Sequence, residues 1–163
     1  MIKNKAIFLD RDGVLNREIG NYVTRVEDFE VLNHVPFLLK KLKDAGYLLI
    51  VITNQGGIAK DLYTHDDLKK NHQILINKLS EMDVLFTDIF YCPHHPEIGK
   101  CLCRKPESIM LEKAIAKHHI DIEQSYMIGD TDRDIQAAQA VGVKSFKIDS
   151  NADWGSVVDS ILK

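Results

Sequence analysis

Ala6-Ile7-Phe8-Leu9-Asp10-Arg11-Asp12-Gly13-Val14 is a short apolar run that ends on two carboxylates flanking an arginine. Four consecutive apolar residues fit a strand buried on both faces, which reads as an unbroken hydrophobic stretch. Asp10 then falls at the carboxyl end of that strand, with Asp12 two residues on and Gly13 supplying a turn. The pattern recurs. Tyr47 to Ile52 is a second apolar run, followed by Thr53-Asn54-Gln55. Ser125 to Gly129 is another, followed by Asp130, with Asp134 four residues later.

Helical periods separate these runs. Val35, Leu38, Leu39 and Leu42 give one apolar face to a helix near His34 to Ala45, with Asn33 placed to cap it and Gly46 to end it. Thr64 is placed to cap a second helix running to about Met82. Val84 to Tyr91 reads as a third strand and Cys92 to Pro106 as a loop. A helix follows from about Glu107 to His118, with Pro106 in its first turn. Asp132 to Val141 is a further helix stopped by Gly142, Val143 to Asp149 a fifth strand, and Asp153 to Leu162 an amphipathic tail on which Trp154 packs the body. Alternation of this kind predicts a parallel sheet with helices on both faces. Ligands of such sheets bind beyond the carboxyl ends of the strands.

The 163 residues, 45% hydrophobic and 28% charged, are expected to form one globular domain, 1–163. A formal charge of −3 offers no basic field for nucleic acid or an acidic membrane, so neither is expected as a partner. The start, Met1 to Lys5, leads into an apolar run too short for a signal peptide or a membrane span, so a cytoplasmic location is expected. All three cysteines, Cys92, Cys101 and Cys103, fall in one window, which suits metal ligands better than a disulfide framework.

The predicted topology brings Asp10, Asp12, Thr53, Asn54, Arg104, Lys105, Asp130 and Asp134 to one sheet edge. Carboxylates gathered there repel one another by roughly 4 kcal/mol per pair at about 4 Å. Oxygen ligands of this type suit Mg²⁺ together with a substrate phosphate, whose charge Lys105 would balance. Asp10 is the candidate nucleophile and Asp12 the candidate general acid and base. Thr53 and Asn54 offer neutral donors to phosphoryl oxygens, Asp130 completes the metal site, and Asp134 orients a metal-bound water. Glu18 and Tyr22, in the loop after the nucleophile, are candidates for substrate contact. Each cluster has a plainer reading alone: a solvated turn at Asp10 to Gly13, a surface lysine at 105, helix capping by Asp130 and Asp134. Their joint placement at one edge sets these aside. His95 is read as a spectator.

Four motifs in order, Asp10-x-Asp12-Gly13-Val14, Thr53 after a strand, Lys105, and Gly129-Asp130-x-x-x-Asp134, resemble those of the haloacid dehalogenase-like phosphatases. The resemblance spans Ala6 to about Asp149. It implies a Rossmann-like five-stranded sheet of order 3-2-1-4-5, no cap domain, and Mg²⁺ held by Asp10, the main-chain carbonyl of Asp12, and Asp130. Cys92-Pro93-His94-His95-Pro96 and Cys101-Leu102-Cys103-Arg104-Lys105-Pro106 further resemble the zinc loop of the branch containing D-glycero-D-manno-heptose 1,7-bisphosphate phosphatases and histidinol-phosphate phosphatases. That resemblance implies structural Zn²⁺ on Cys92, His94, Cys101 and Cys103. The zinc loop would then position Lys105 and a substrate-contacting Arg104.

Thr53-Asn54-Gln55-Gly56-Gly57-Ile58-Ala59-Lys60 is similar to the heptose branch's T-N-Q-S-G-I-A-R segment, with Gly56 in place of serine, and adds Gln55 to the candidate substrate contacts. The six residues between His94 and Cys101 are closer to the compact histidinol-phosphate loop. A sugar bisphosphate is the favoured substrate, histidinol phosphate the alternative, and the working unit is expected to be a monomer. A reading from another class, a phospho-accepting signalling module, has no place for Asp12 or for a zinc loop.

Overall fold

The apolar run at the start forms β1 (Ala6–Leu9), in which every residue is fully buried. The computed structural model describes residues 3–163; Met1 and Ile2, part of the segment read for a leader, lie outside the described residues. β1 is the middle strand of a five-stranded parallel sheet, and the others are β2 (Leu48–Asn54), β3 (Asp88–Cys92), β4 (Tyr126–Gly129) and β5 (Lys144–Lys147). Their order, β3-β2-β1-β4-β5, is the one the sequence resemblance implies.

The helices α1 (Val35–Asp44), α2 (His65–Ser80), α3 (Ile109–His118), α4 (Asp132–Ala140) and α5 (Gly155–Ile161) divide between the two faces. Ile7 and Leu9 point to the core shared with Leu38, Leu42, Leu75 and Val158, which belong to α1, α2 and α5. Ala6 and Phe8 point to the core shared with Met110, Ala114 and Ala137, on α3 and α4. The split follows from right-handed crossovers: connections from β1 to β3 step one way along the sheet, and the step from β4 to β5 runs the other way on the opposite face. The reversal opens a crevice at the carboxyl ends of β1 and β4, where Asp10 and Asp130 stand.

Element ends differ from the sequence reading in places. β2 continues past the end of the apolar run at Ile52 through Thr53 and Asn54, because Asn54 still pairs with Cys92. Val84 is buried outside any strand; its N–H instead closes the end of α2 on Leu79 O at 3.1 Å. α1 follows His34, not Asn33, and no side chain caps it; Pro36 sets its first turn. Pro106, joined to Lys105 by a cis peptide bond, lies ahead of α3 and its flanking Ser108, not in the first turn. Thr64 does cap α2, in a reciprocal pair with Asp67. Trp154 is fully buried and donates to Val14 O at 3.1 Å, fastening the tail to the loop after β1.

Candidate active site

A cavity of about 430 Å³ opens at the carboxyl edge of the sheet, with Asp10, Lys105, Asp130 and Asp134 among its lining. The ammonium of Lys105 donates to Asp10 Oδ1 at 2.9 Å, Asp134 Oδ1 at 2.5 Å and Ile52 O at 2.6 Å. Burial alone would lower the Lys105 pKa, but the two carboxylates outweigh it and hold the lysine charged. Burial raises Asp10 to about 8, with Lys105 opposing and Asp134, Asp12 and Asp130 adding to the rise. Asp134 is fully buried, and its other oxygen accepts from the Thr131 N–H and hydroxyl at 3.0 and 2.9 Å. It therefore caps α4 and faces Lys105 at once.

Asp12 is turned to a different set of partners. One oxygen accepts from Arg11 at 2.8 Å and Asn16 at 2.9 Å, and the other from Gln55 at 3.0 Å. Burial favours its neutral form, but the charge of Arg11 and these hydrogen bonds prevail, so the carboxyl lies below its usual range. Gln55 is itself fixed by the Tyr63 hydroxyl at 2.6 Å and by a bond to Thr53 Oγ1 at 3.0 Å. The Thr53 side chain is fully buried behind Gln55. Asn54 uses both ends of its amide on the main chain of Lys105, accepting from its N–H at 3.0 Å and donating to its carbonyl at 3.1 Å.

The acid cluster fits a divalent cation. Oxygens of Asp10, Asp130 and Asp134 lie within 4.8 Å of one another. Asp130 Oδ1 is buried with no hydrogen-bond partner, an arrangement that is costly unless a cation or water satisfies it. Gly13 lets the chain pass close by: with φ at +84°, a Cβ there would stand 2.3 Å from Asp130 Oδ2. Asp10, Asp130 and Asp134 could together hold a divalent cation, although the oxygens of Asp134 are already engaged by Lys105 and Thr131.

The cysteine window closes on itself. Cys92 at the end of β3 lies 3.0 Å from Cys103, 3.7 Å from Cys101 and 3.5 Å from His94 Nδ1, and His94 Nδ1 lies 3.2 Å from Cys103. Three sulfurs and one imidazole nitrogen converge within 4.8 Å, a set of donors that could hold a metal ion and of the type that structural zinc takes. Burial tends to raise both Cys92 and Cys101; the main-chain N–H groups of Arg104 and Cys103 bring Cys101 below an ordinary thiol, whereas Cys92, more deeply buried and beside Cys103, stays well above it.

Glu18, Tyr22 and Arg104 line the outer wall of the cavity, and Arg104 donates to His94 O at 3.2 Å. His95, read as a spectator, lines it as well, as does Arg133 of α4, which the sequence reading did not single out. A side chain at Gly56 would meet His95 at 2.9 Å and Arg104 at 3.0 Å, so those two residues hold the space that a larger residue would fill. Asn16, Tyr63 and Arg11 complete the surroundings of Asp12 and Gln55, and nothing in their spacing distinguishes them in sequence from structural polar residues.

Residues 102–153 match the family described as HAD-hydrolase-like. The chain is 44% identical to a D-glycero-alpha-D-manno-heptose-1,7-bisphosphate 7-phosphatase of Photorhabdus laumondii, covering 86% of this chain and 80% of the relative. It is likewise 44% identical to a D-glycero-beta-D-manno-heptose-1,7-bisphosphate 7-phosphatase of Haemophilus influenzae, over 86% of this chain and 79% of the relative. Among solved structures, D,D-heptose 1,7-bisphosphate phosphatase from B. bronchiseptica, complexed with magnesium and phosphate, superposes with a TM-score of 0.83 at 31% identity, covering 88% of this chain and 79% of that one.

Proposed function

The chain belongs to the haloacid dehalogenase-like phosphatases and, within them, to the family of the D-glycero-D-manno-heptose 1,7-bisphosphate 7-phosphatases, and on that basis we propose that it removes the 7-phosphate of such a bisphosphate through a phospho-aspartate on Asp10. The observation that carries the chemistry is the convergence of Asp10, Lys105 and the partnerless Asp130 oxygen in one cavity.

In the first half-reaction Asp10 attacks phosphorus, the bond from phosphorus to the sugar oxygen breaks, and Asp12 gives that oxygen a proton. In the second, water attacks the acyl phosphate, loses its proton to Asp12, and Asp10 is regenerated with release of phosphate. The ionised resting state of Asp12 is that of the base; an incoming phosphate dianion raises its proton affinity and readies it as the acid. Mg²⁺ on Asp10 and Asp130 would supply the positive charge that keeps the clustered carboxylates ionised and draws charge from the phosphoryl group. Lys105 contributes the fixed cation of the chain itself, and Asn54 holds the lysine's main chain in place. Thr53 acts through Gln55, which orients Asp12. Glu18, Tyr22 and Arg104 meet the sugar end. Zn²⁺ on Cys92, His94, Cys101 and Cys103 would be structural, fixing the segment that leads into Arg104 and Lys105.

Both relatives named above carry the heptose bisphosphate name, which favours that substrate over histidinol phosphate. They differ in anomer, so the decisive assay supplies both. With Mg²⁺, phosphate release from the heptose bisphosphates is expected to exceed that from histidinol phosphate in kcat/KM, and Asp10→Asn to abolish it. A preference for histidinol phosphate would reject the substrate assignment; turnover by Asp10→Asn would reject the mechanism. A stable phospho-enzyme without turnover would favour the signalling module. Among the described residues no helix is long and apolar enough to cross a membrane. That the enzyme works as a cytoplasmic monomer on a small metabolite is part of the proposal.

A further inference from the structure

The turn after β5 touches the loop after β1 at three points. The Asn151 N–H donates to Gly13 O at 2.8 Å, and Trp154 Nε1 donates to Val14 O. The Asn151 side chain then grips Glu18 with both ends of its amide: Oδ1 accepts from the Glu18 N–H at 2.6 Å and Nδ2 donates to the Glu18 carbonyl at 2.9 Å. A two-ended grip of this kind fixes both the position and the rotation of one peptide segment. It is made across 133 residues of sequence, in a partly buried setting where water competes poorly.

The backbone is shaped for the grip. Asn151 has φ of +66°, a conformation that asparagine tolerates better than most residues. The loop is held at its ends, Arg17 by Glu30 and Val23 in the core with Tyr22 against Tyr63, whereas Gly20 and Asn21 between them are exposed and the Gly20 N–H returns to the Glu18 side chain at 2.7 Å. That segment forms the outer wall of the cavity up to Tyr22.

We infer that Asn151 is a positioning residue that straps the loop from Arg17 to Val23 over the cavity, and so sets discrimination at the sugar end of the substrate without taking part in phosphoryl transfer. This rests on the substrate reading above. Asn151 does not line the cavity, and although Ser150 before it bonds to Asp130, removal of the Asn151 side chain leaves Ser150 in place and so acts through the loop on binding.

Asn151→Gly is the test, because glycine keeps the positive φ and the bond to Gly13 while deleting the grip. The KM for heptose 1,7-bisphosphate is expected to rise about tenfold, the loss of two neutral hydrogen bonds, with kcat within about twofold. Hydrolysis of p-nitrophenyl phosphate, which has no sugar to position, should be unchanged. Asn151→Asp keeps the acceptor for the Glu18 N–H and should fall between. Trypsin cleavage of the folded protein after Arg17 and Arg25 should be faster in Asn151→Gly. Equal losses on both substrates, or an unchanged KM with unchanged cleavage, would overturn the strap. A wild-type enzyme with no preference for the heptose bisphosphate would overturn the substrate reading instead, and the cleavage rates would then decide the strap alone.

Discussion

Lys105 Nζ stands 2.5 Å from Asp134 Oδ1, and neither side chain is open to solvent. The pair joins the loop before α3 to the first turn of α4 and places a fixed positive charge beside Asp10. Lys105→Met would leave Asp134 buried without its counter-ion, a change expected to cost about 3–5 kcal/mol of stability. Loss of the cation should also slow phosphate release by about 100-fold or more. Urea unfolding and steady-state assays measure the two effects. Wild-type stability in the variant would mean that the pair contributes nothing to holding the fold.

Arg11 and Asp12 form a second internal pair, and two other nitrogens of Arg11 are buried without partners. Asp12→Asn should reduce kcat by about 10²–10⁴, the span of general acid–base catalysis. It should also destabilise the protein by about 3 kcal/mol, because Arg11 loses its counter-charge. Adding Arg11→Met should restore stability but not activity. Recovery of turnover in the double variant would show that Asp12 acts only by pairing Arg11.

The zinc loop yields a stoichiometric expectation. Protein purified without chelator should hold about one zinc per chain by elemental analysis, and Cys103→Ser should hold markedly less. Because Lys105 follows Cys103 by two residues, the loss of zinc should lower kcat/KM in a way that added Mg²⁺ does not repair. Full activity in zinc-free protein would separate the loop from catalysis.

His72 of α2 is buried against Tyr91, its Nε2 has no partner, and burial brings its pKa down to about 4. Between about pH 6.5 and 4 the unfolded chain therefore binds a proton that the folded chain refuses, so this residue destabilises the fold as pH falls. Asp10, whose pKa is raised, acts with the opposite sign across much of that range, so the comparison must be between variants. From pH 7 to pH 5 the wild type should lose about 2 kcal/mol relative to His72→Leu, measured by denaturant titration at each pH. Parallel curves for the two proteins would place the His72 proton affinity near that of a free imidazole.

The acid cluster and the cysteine cluster were legible in the sequence because each is written locally, whereas the strand order was implied by the resemblance of the motifs. An apolar run followed by Asp10 or Asp130 marks a strand end, and ligands of a parallel sheet gather at those ends. Cys92, Cys101 and Cys103 lie close enough in the chain to signal a shared ion by spacing alone. What the tertiary structure decided was how polar side chains divide among partners. Gln55 is claimed by Asp12 across 43 residues, Asn54 by the main chain of Lys105 across 51, and Asn151 by Glu18 across 133. Asp134 caps α4 and also faces Lys105, a partner that the sequence, which set capping against orienting a metal-bound water, did not suggest. The reason is physical: periodicity reports which way a residue faces, whereas a hydrogen-bond partner depends on which distant loops the packed sheet brings within 3 Å or so.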